Sequence, residues 1–190
     1  MTTALPVAWL VARAAGLVAF GLLTLSVWLG LAMSTRVLGP KRQKKLLGLH
    51  RTLAWTGLSM IGLHIGAVLL DPVLHLGVLG ALVPGAASWR PGAVALGVVS
   101  GWLTLALAAS FNARRWIGQK GWRRLHYASF AAFWLALGHA LLVGTDLRGF
   151  GGPVTAVLAA APVLWLSFYR LLVPRARSVP TRSAPPLAAA

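Results

Sequence analysis

Five long apolar stretches, each bounded by charged residues, constrain this chain more than any other feature. They cover residues 14–35, 52–70, 91–113, 125–145 and 149–169, the first extending upstream past Arg13. A helix needs about 20 apolar residues to cross a bilayer. None of the stretches alternates as a strand would, and all are rich in Leu, Ala, Val and Gly. The pattern predicts an all-α polytopic membrane bundle of about five transmembrane helices. Composition agrees, with 58% hydrophobic residues, 11% charged residues and a mean hydropathy of +0.77. A soluble domain carries about a quarter charged residues, so a water-facing globule is excluded. A net charge of +16 would suit a nucleic-acid binder, but not in so apolar a chain, and no nucleic-acid partner is expected.

The loops orient the bundle. Arg36, Lys41, Arg42, Lys44, Lys45 and Arg51 lie between the first two stretches, and Arg114, Arg115, Lys120, Arg123 and Arg124 between the third and fourth. Arg170, Arg175, Arg177 and Arg182 follow the fifth. Arg13, Arg90 and Arg148 remain for the opposite side, together with both acids, Asp71 and Asp146. The positive-inside rule then places the basic loops in the cytoplasm and the N-terminus outside, in a multi-pass inner-membrane protein surrounded by lipid. Residues 72–89 lack charge up to Arg90, but Pro72, Pro84 and three glycines interrupt them. A crossing there would put the two large basic loops on opposite sides, so the segment is expected to be an outer re-entrant or interfacial one. No basic n-region or clear cleavage site marks a signal peptide at the N-terminus. Residues 1–173 form the expected transmembrane domain, and residues 174–190, rich in Pro, Ser, Arg and Ala, a disordered basic cytoplasmic tail.

Two of the stretches echo each other. LHRTLAWTGLSMIGLHIGAVLLD at 49–71 and LHYASFAAFWLALGHALLVGTD at 125–146 each follow a basic cluster, open with Leu-His and end in Asp. Each carries a second histidine beside a glycine, giving His50 with His64 and His126 with His139. The spacings of 14 and 13 residues define two levels roughly 20 Å apart along the membrane normal. Imidazole is costly to bury in lipid without a partner, so four depth-matched histidines point to a function. With no cysteine in the chain, thiolate metal sites, iron–sulfur clusters and covalent haem attachment are excluded. Two facing imidazoles can fill both axial positions of a haem iron, and two levels would hold two b-type haems. Gly62, Gly66, Gly138 and Gly144 offer room, while Trp55, Phe130, Phe133 and Trp134 are candidate walls. Arg51, Arg123 and Arg124 stand beside the inner histidines as candidate partners for propionates. A spacing of 14 keeps two residues on one helix face, whereas 13 turns them apart, so either a distorted helix start at His126 or a local irregularity within the helix is expected. His75 is expected to be interfacial.

These paired histidines, with the framing segments LSVWLGLAMSTRVLGP and GQKGWRRLHYASFAAFWLALGHALLVGTD, resemble the ferric reductase-like transmembrane domain. That superfamily includes ferric reductases, NADPH oxidases and the haem membrane subunit that partners a periplasmic methionine sulfoxide reductase. The resemblance covers about residues 10–170. It implies that His50 and His126 hold the inner haem, His64 and His139 the outer one. It also implies that electrons pass from the cytoplasmic side to an acceptor outside, either ferric iron or an acceptor protein. One departure is large: no flavin- or nicotinamide-binding pattern follows the fifth stretch, and GFGGP at 149–153 lacks the preceding strand of a dinucleotide fingerprint. The expectation is therefore an oxidoreductase component with no FAD or NAD site of its own, fed in trans by a flavoprotein or a quinol. An alternative from another class is a haem-free transporter or proton-relay protein using the same histidines, although the stretches contain no internal carboxylate.

Overall fold

The computed structural model describes residues 7–35, 37–72, 74–146 and 149–172. Arg36, Arg148 and the tail at 174–190, with Arg175, Arg177 and Arg182, lie outside the described residues. Six α-helices follow in order: α1 (Val7–Thr35), α2 (Gln43–Leu69), α3 (Gly77–Leu82), α4 (Pro91–His126), α5 (Ala128–Val143) and α6 (Gly151–Leu172). A 3-10 turn at Pro40–Arg42 leads into α2, and no strand occurs among the described residues.

Among the described residues, four helical stretches are long and apolar enough to cross a membrane: α1, α2, the run Pro91–Val143, and α6. The third contains two antiparallel arms. Gly118 interrupts α4 with φ 71° and ψ 165°, a conformation that essentially only glycine adopts. Beyond it the chain returns, so that Ser100 Oγ donates to the Ala132 carbonyl at 2.8 Å. The bundle is thus all-α with five membrane-length arms, as the apolar pattern predicts. One boundary differs from that expectation. The basic residues between the third and fourth stretches form no extended loop, and helix continues through Arg114 and Arg115 and resumes before Lys120. Arginine and lysine end a hydrophobic run without ending a helix, because both are good helix formers.

At the other end, α2 closes where Leu70 N–H donates to the Gly66 carbonyl, and Asp71 Oδ1 accepts from Leu74 N–H at 3.0 Å to turn the chain. The six residues of α3 rise only about 9 Å, far short of a crossing, so this segment does not span. His75, exposed and with φ 43°, lies just before α3. Pro91 starts α4, a position where its missing N–H costs nothing.

The core lies between α1, α5 and α6, where Leu31, Phe133, Leu137, Ala159 and Val163 pack together. Trp28 Nε1 donates to the Ala159 carbonyl at 3.2 Å, and Arg170 Nη2 to the Tyr127 hydroxyl at 2.6 Å, which fastens α6 at two depths. Large apolar side chains face outward, Leu171 at 80% exposure and Trp165 at 71%. Such a surface suits lipid and not water. The interior faces of α1 are lined instead by Ala12, Ala15, Ala19 and Ser26, small residues that let helices approach closely in a membrane.

Candidate metal centre

Each histidine pair is built from two helical hairpins. In the first, α1 and α2 pack antiparallel about the turn at Val37–Gly39. His64 Nδ1 lies 2.7 Å from the Ala12 carbonyl oxygen, and His50 Nδ1 lies 2.8 Å from that of Ser26. Both contacts share one register centred on Leu38. The second hairpin places His139 Nδ1 2.8 Å from the Ala93 carbonyl oxygen, in register with the Ser100–Ala132 bond about a centre at Trp116. A carbonyl can only accept, so Nδ1 is the donor in all three contacts, which in a neutral ring leaves the lone pair on Nε2. Metal-ligating histidines are commonly oriented this way, the second nitrogen donating to a backbone carbonyl.

Across the seam between hairpins the rings meet in two pairs. His50 and His126 have ring centroids 6.2 Å apart with planes at 71°. His64 and His139 stand 6.4 Å apart at 82°. An iron between two imidazoles, with each bond about 2.0–2.1 Å long, would separate the centroids by about 6.4 Å. The donor set points the same way. Among the described residues no group of three or more His, Cys, Asp or Glu gathers, whereas a four-coordinate zinc would require one. A haem brings four ligands of its own and asks the protein for two.

Space for such a group exists at the level remote from the basic loops. His64 and His139 face a cavity of about 570 Å³, lined chiefly by apolar residues including Leu17, Phe20, Val98 and Trp102. That volume lies within the range of about 300–1,000 Å³ usual for cofactor sites. Gly62 and Gly144 line it, as their expected role requires, while Gly66 and Gly138 do not. The aromatic walls differ from the sequence-based candidates. Phe133 packs in the core beside Phe130, Trp134 and Trp55 are exposed, and Phe20, Trp9, Trp89 and Trp102 line the cavity instead. Outward or core-directed aromatics are indistinguishable from cavity walls until the helices are rotated into place.

The level near the basic loops is less regular. His126 ends α4, and Tyr127 joins it to α5 through bonds that skip three residues instead of four, Tyr127 N–H to the Arg124 carbonyl and Phe130 N–H to that of Tyr127. This local tightening adds about 20° of rotation per residue over an α-helix, recovering part of the turn that a 13-residue spacing lacks. His126 stacks on Trp122, with centroids 5.0 Å apart, and its Nδ1 has no hydrogen-bond partner. Arg51, Arg123 and Arg124 are exposed beside these histidines. Arg51 lies over the Phe111 ring at 5.2 Å and borders a shallow hollow with Thr52, Trp55 and Thr56.

Two features of the site escape a reading of histidines alone. A repeated small-residue motif holds three of the rings: Ala12-x-x-x-Gly16 receives His64, Ser26-x-x-x-Gly30 receives His50, and Ala93-x-x-x-Gly97 receives His139. The 14-residue step from Ala12 to Ser26 copies that from His50 to His64, and this matched periodicity was the available signal. The other feature is an ion pair between Arg13 and Asp146 at the mouth of the cavity. The other polar residues expected at the outer side are not gathered there, for Asp71 and His75 lie in the α2–α3 connection, while Arg90 donates to the Leu142 carbonyl. Comparisons with protein families, with curated proteins and with solved structures found no match for this chain.

Proposed function

We propose that this chain is a di-haem b-type carrier that passes electrons across a membrane. The observation behind this reading is the pair of histidine couples, 6.2 and 6.4 Å between ring centroids, at two depths of one helical bundle. Haem supplies one-electron chemistry between ferric and ferrous iron. The protein's own part is to hold and orient. His50 and His126 would ligate at one level, His64 and His139 at the other. Ser26, Ala12 and Ala93 fix the rings of His50, His64 and His139 through their carbonyls. The apolar lining of the large cavity excludes water from the second level and favours a flat hydrophobic ring.

By the positive-inside rule the basic end faces the cytoplasm, with the N-terminus outside and the C-terminus inside. Electrons would then enter near His50 and His126 from a flavoprotein or a membrane quinol and leave near His64 and His139. Ferric iron or an acceptor protein outside would receive them, as in the ferric reductase-like proteins that the sequence resembles. Gly149 and Phe150 lie in a turn that leads directly into α6.

A reduced-minus-oxidised visible spectrum of detergent-purified protein, with haem quantified per chain, tests the proposal. Sharp low-spin b-type bands at about two haems per chain are expected. Protein that stays colourless after expression with ample haem would overturn it and favour histidine-based transport or proton relay.

A further inference from the structure

Among the described residues, Arg13 and Asp146 are the charged ones in the wall of the large cavity. Arg13 follows Ala12, the residue whose carbonyl holds His64. Asp146 lies seven residues beyond His139. Arg13 Nε donates to Asp146 Oδ2 at 2.8 Å and Nη2 to Oδ1, while the guanidinium lies 3.9 Å over the Trp9 ring. The carboxylate engages two of the five N–H donors of the guanidinium, which leaves donors for another acceptor. Both side chains are about a third exposed, at 30% and 33%, so neither is sealed away by its partner. A cation kept in so apolar a wall loses solvation that an anionic ligand edge would restore.

We infer that Arg13 is a positioning residue that binds the carboxylate edge of the cofactor held by His64 and His139, with Asp146 sharing the guanidinium. The inference rests on the di-haem reading. It identifies the cofactor's polar edge as the one pointing to the cavity mouth, and it predicts how the two charges act on the iron. The ferric centre carries one more positive charge than the ferrous one. Removing the Arg13 cation therefore stabilises the ferric form and lowers the midpoint potential. Removing the Asp146 anion stabilises the ferrous form and raises it. An ion pair that only braced the helices would shift the midpoint with the same two signs, but losing either partner would then affect haem release alike, whereas contact with the carboxylate edge makes release depend on Arg13.

The test is a redox titration of the purified holoprotein, with the component absent from His64→Ala identifying the cofactor concerned. Release of that haem to a scavenging apoprotein is followed in parallel. Arg13→Gln is expected to lower the midpoint and to speed release about tenfold or more, since a charge-assisted hydrogen bond is lost. Arg13→Lys should hold the midpoint near the original value while release quickens, because the charge remains and the planar fork does not. Asp146→Asn should raise the midpoint and keep the haem. Unchanged haem release in Arg13→Gln, or release from Asp146→Asn as fast as from Arg13→Gln, would overturn the inference. If Arg13→Gln does not accumulate, Arg13→Lys against Asp146→Asn decides by the same comparison of release. Unsubstituted protein that binds no haem overturns the underlying reading instead.

Discussion

A single hydrogen-for-methyl exchange separates a working histidine from a displaced one. A Cβ placed on Gly97 would lie 2.6 Å from His139 Nδ1, and one on Gly16 2.9 Å from His64 Nδ1. Helix propensity favours alanine over glycine by about 0.8–1.0 kcal/mol, but at these two sites the imidazole would have to leave its carbonyl to make room. Gly97→Ala is therefore expected to halve the haem-to-protein ratio by emptying its level. Gly21→Ala meets nothing within 4 Å, lies outside the cavity wall and should keep both haems while gaining roughly 0.5–1 kcal/mol of helix stability. Equal haem content in the two variants would refute the close-approach account. Ser26→Ala is a milder change, because the Ser26 carbonyl still faces His50 Nδ1 at 2.8 Å after the hydroxyl at 2.9 Å is gone. A loss of about 1 kcal/mol or less in denaturation, with haem retained, is the expected outcome.

Hairpins, more than individual helices, are the units that carry the site. Gly118 makes the α4–α5 hairpin possible, and Gly118→Ala should destabilise the protein by about 1–3 kcal/mol through backbone strain alone. Gly121→Ala is the control, since its nearest contact would be Ile117 Cβ at an ordinary 3.7 Å. Detergent denaturation midpoints of the two variants check this, and matching midpoints would contradict it. The five arms were legible in the sequence because charged residues bound every apolar run. The reversal at Gly118 was not, since arginines and lysines mark the edge of a membrane without marking the end of a helix. The histidines were equally legible, for imidazole stands out in an apolar run. Their supporting carbonyls and glycines did not stand out: among 21 glycines, Gly16 and Gly97 acquire meaning only once the antiparallel register is known. Arg13 was visible only as a topological exception, and its pairing with Asp146 depends on two ends of the chain meeting in space.

Within the bundle, each hairpin packs tightly along its own length and meets the other much more sparsely, and both histidine couples straddle that seam. A cofactor bridging it would hold the halves together. A ligand present at 1,000 times its dissociation constant stabilises the native state by about 4 kcal/mol per site. Haem-stripped protein is therefore expected to retain its far-ultraviolet helical signal but to lose thermal stability. An unchanged thermal midpoint would show that the hairpins hold each other without help. Single substitutions should divide the effect: His64→Ala or His139→Ala removes one haem and spares the other, and His50→Ala or His126→Ala does the reverse. Full haem content in all four variants would refute the ligand assignment. The division of ligands also sets a timetable for biogenesis. The hairpin that ends at Leu69 supplies one imidazole to each level, and the one that ends at Val143 supplies the other. Whatever enters the membrane first is half of two sites and the whole of neither. In the di-haem reading, iron capture cannot begin on the nascent chain until synthesis has passed Val143, and both levels then become competent in a single insertion event, before α6 arrives.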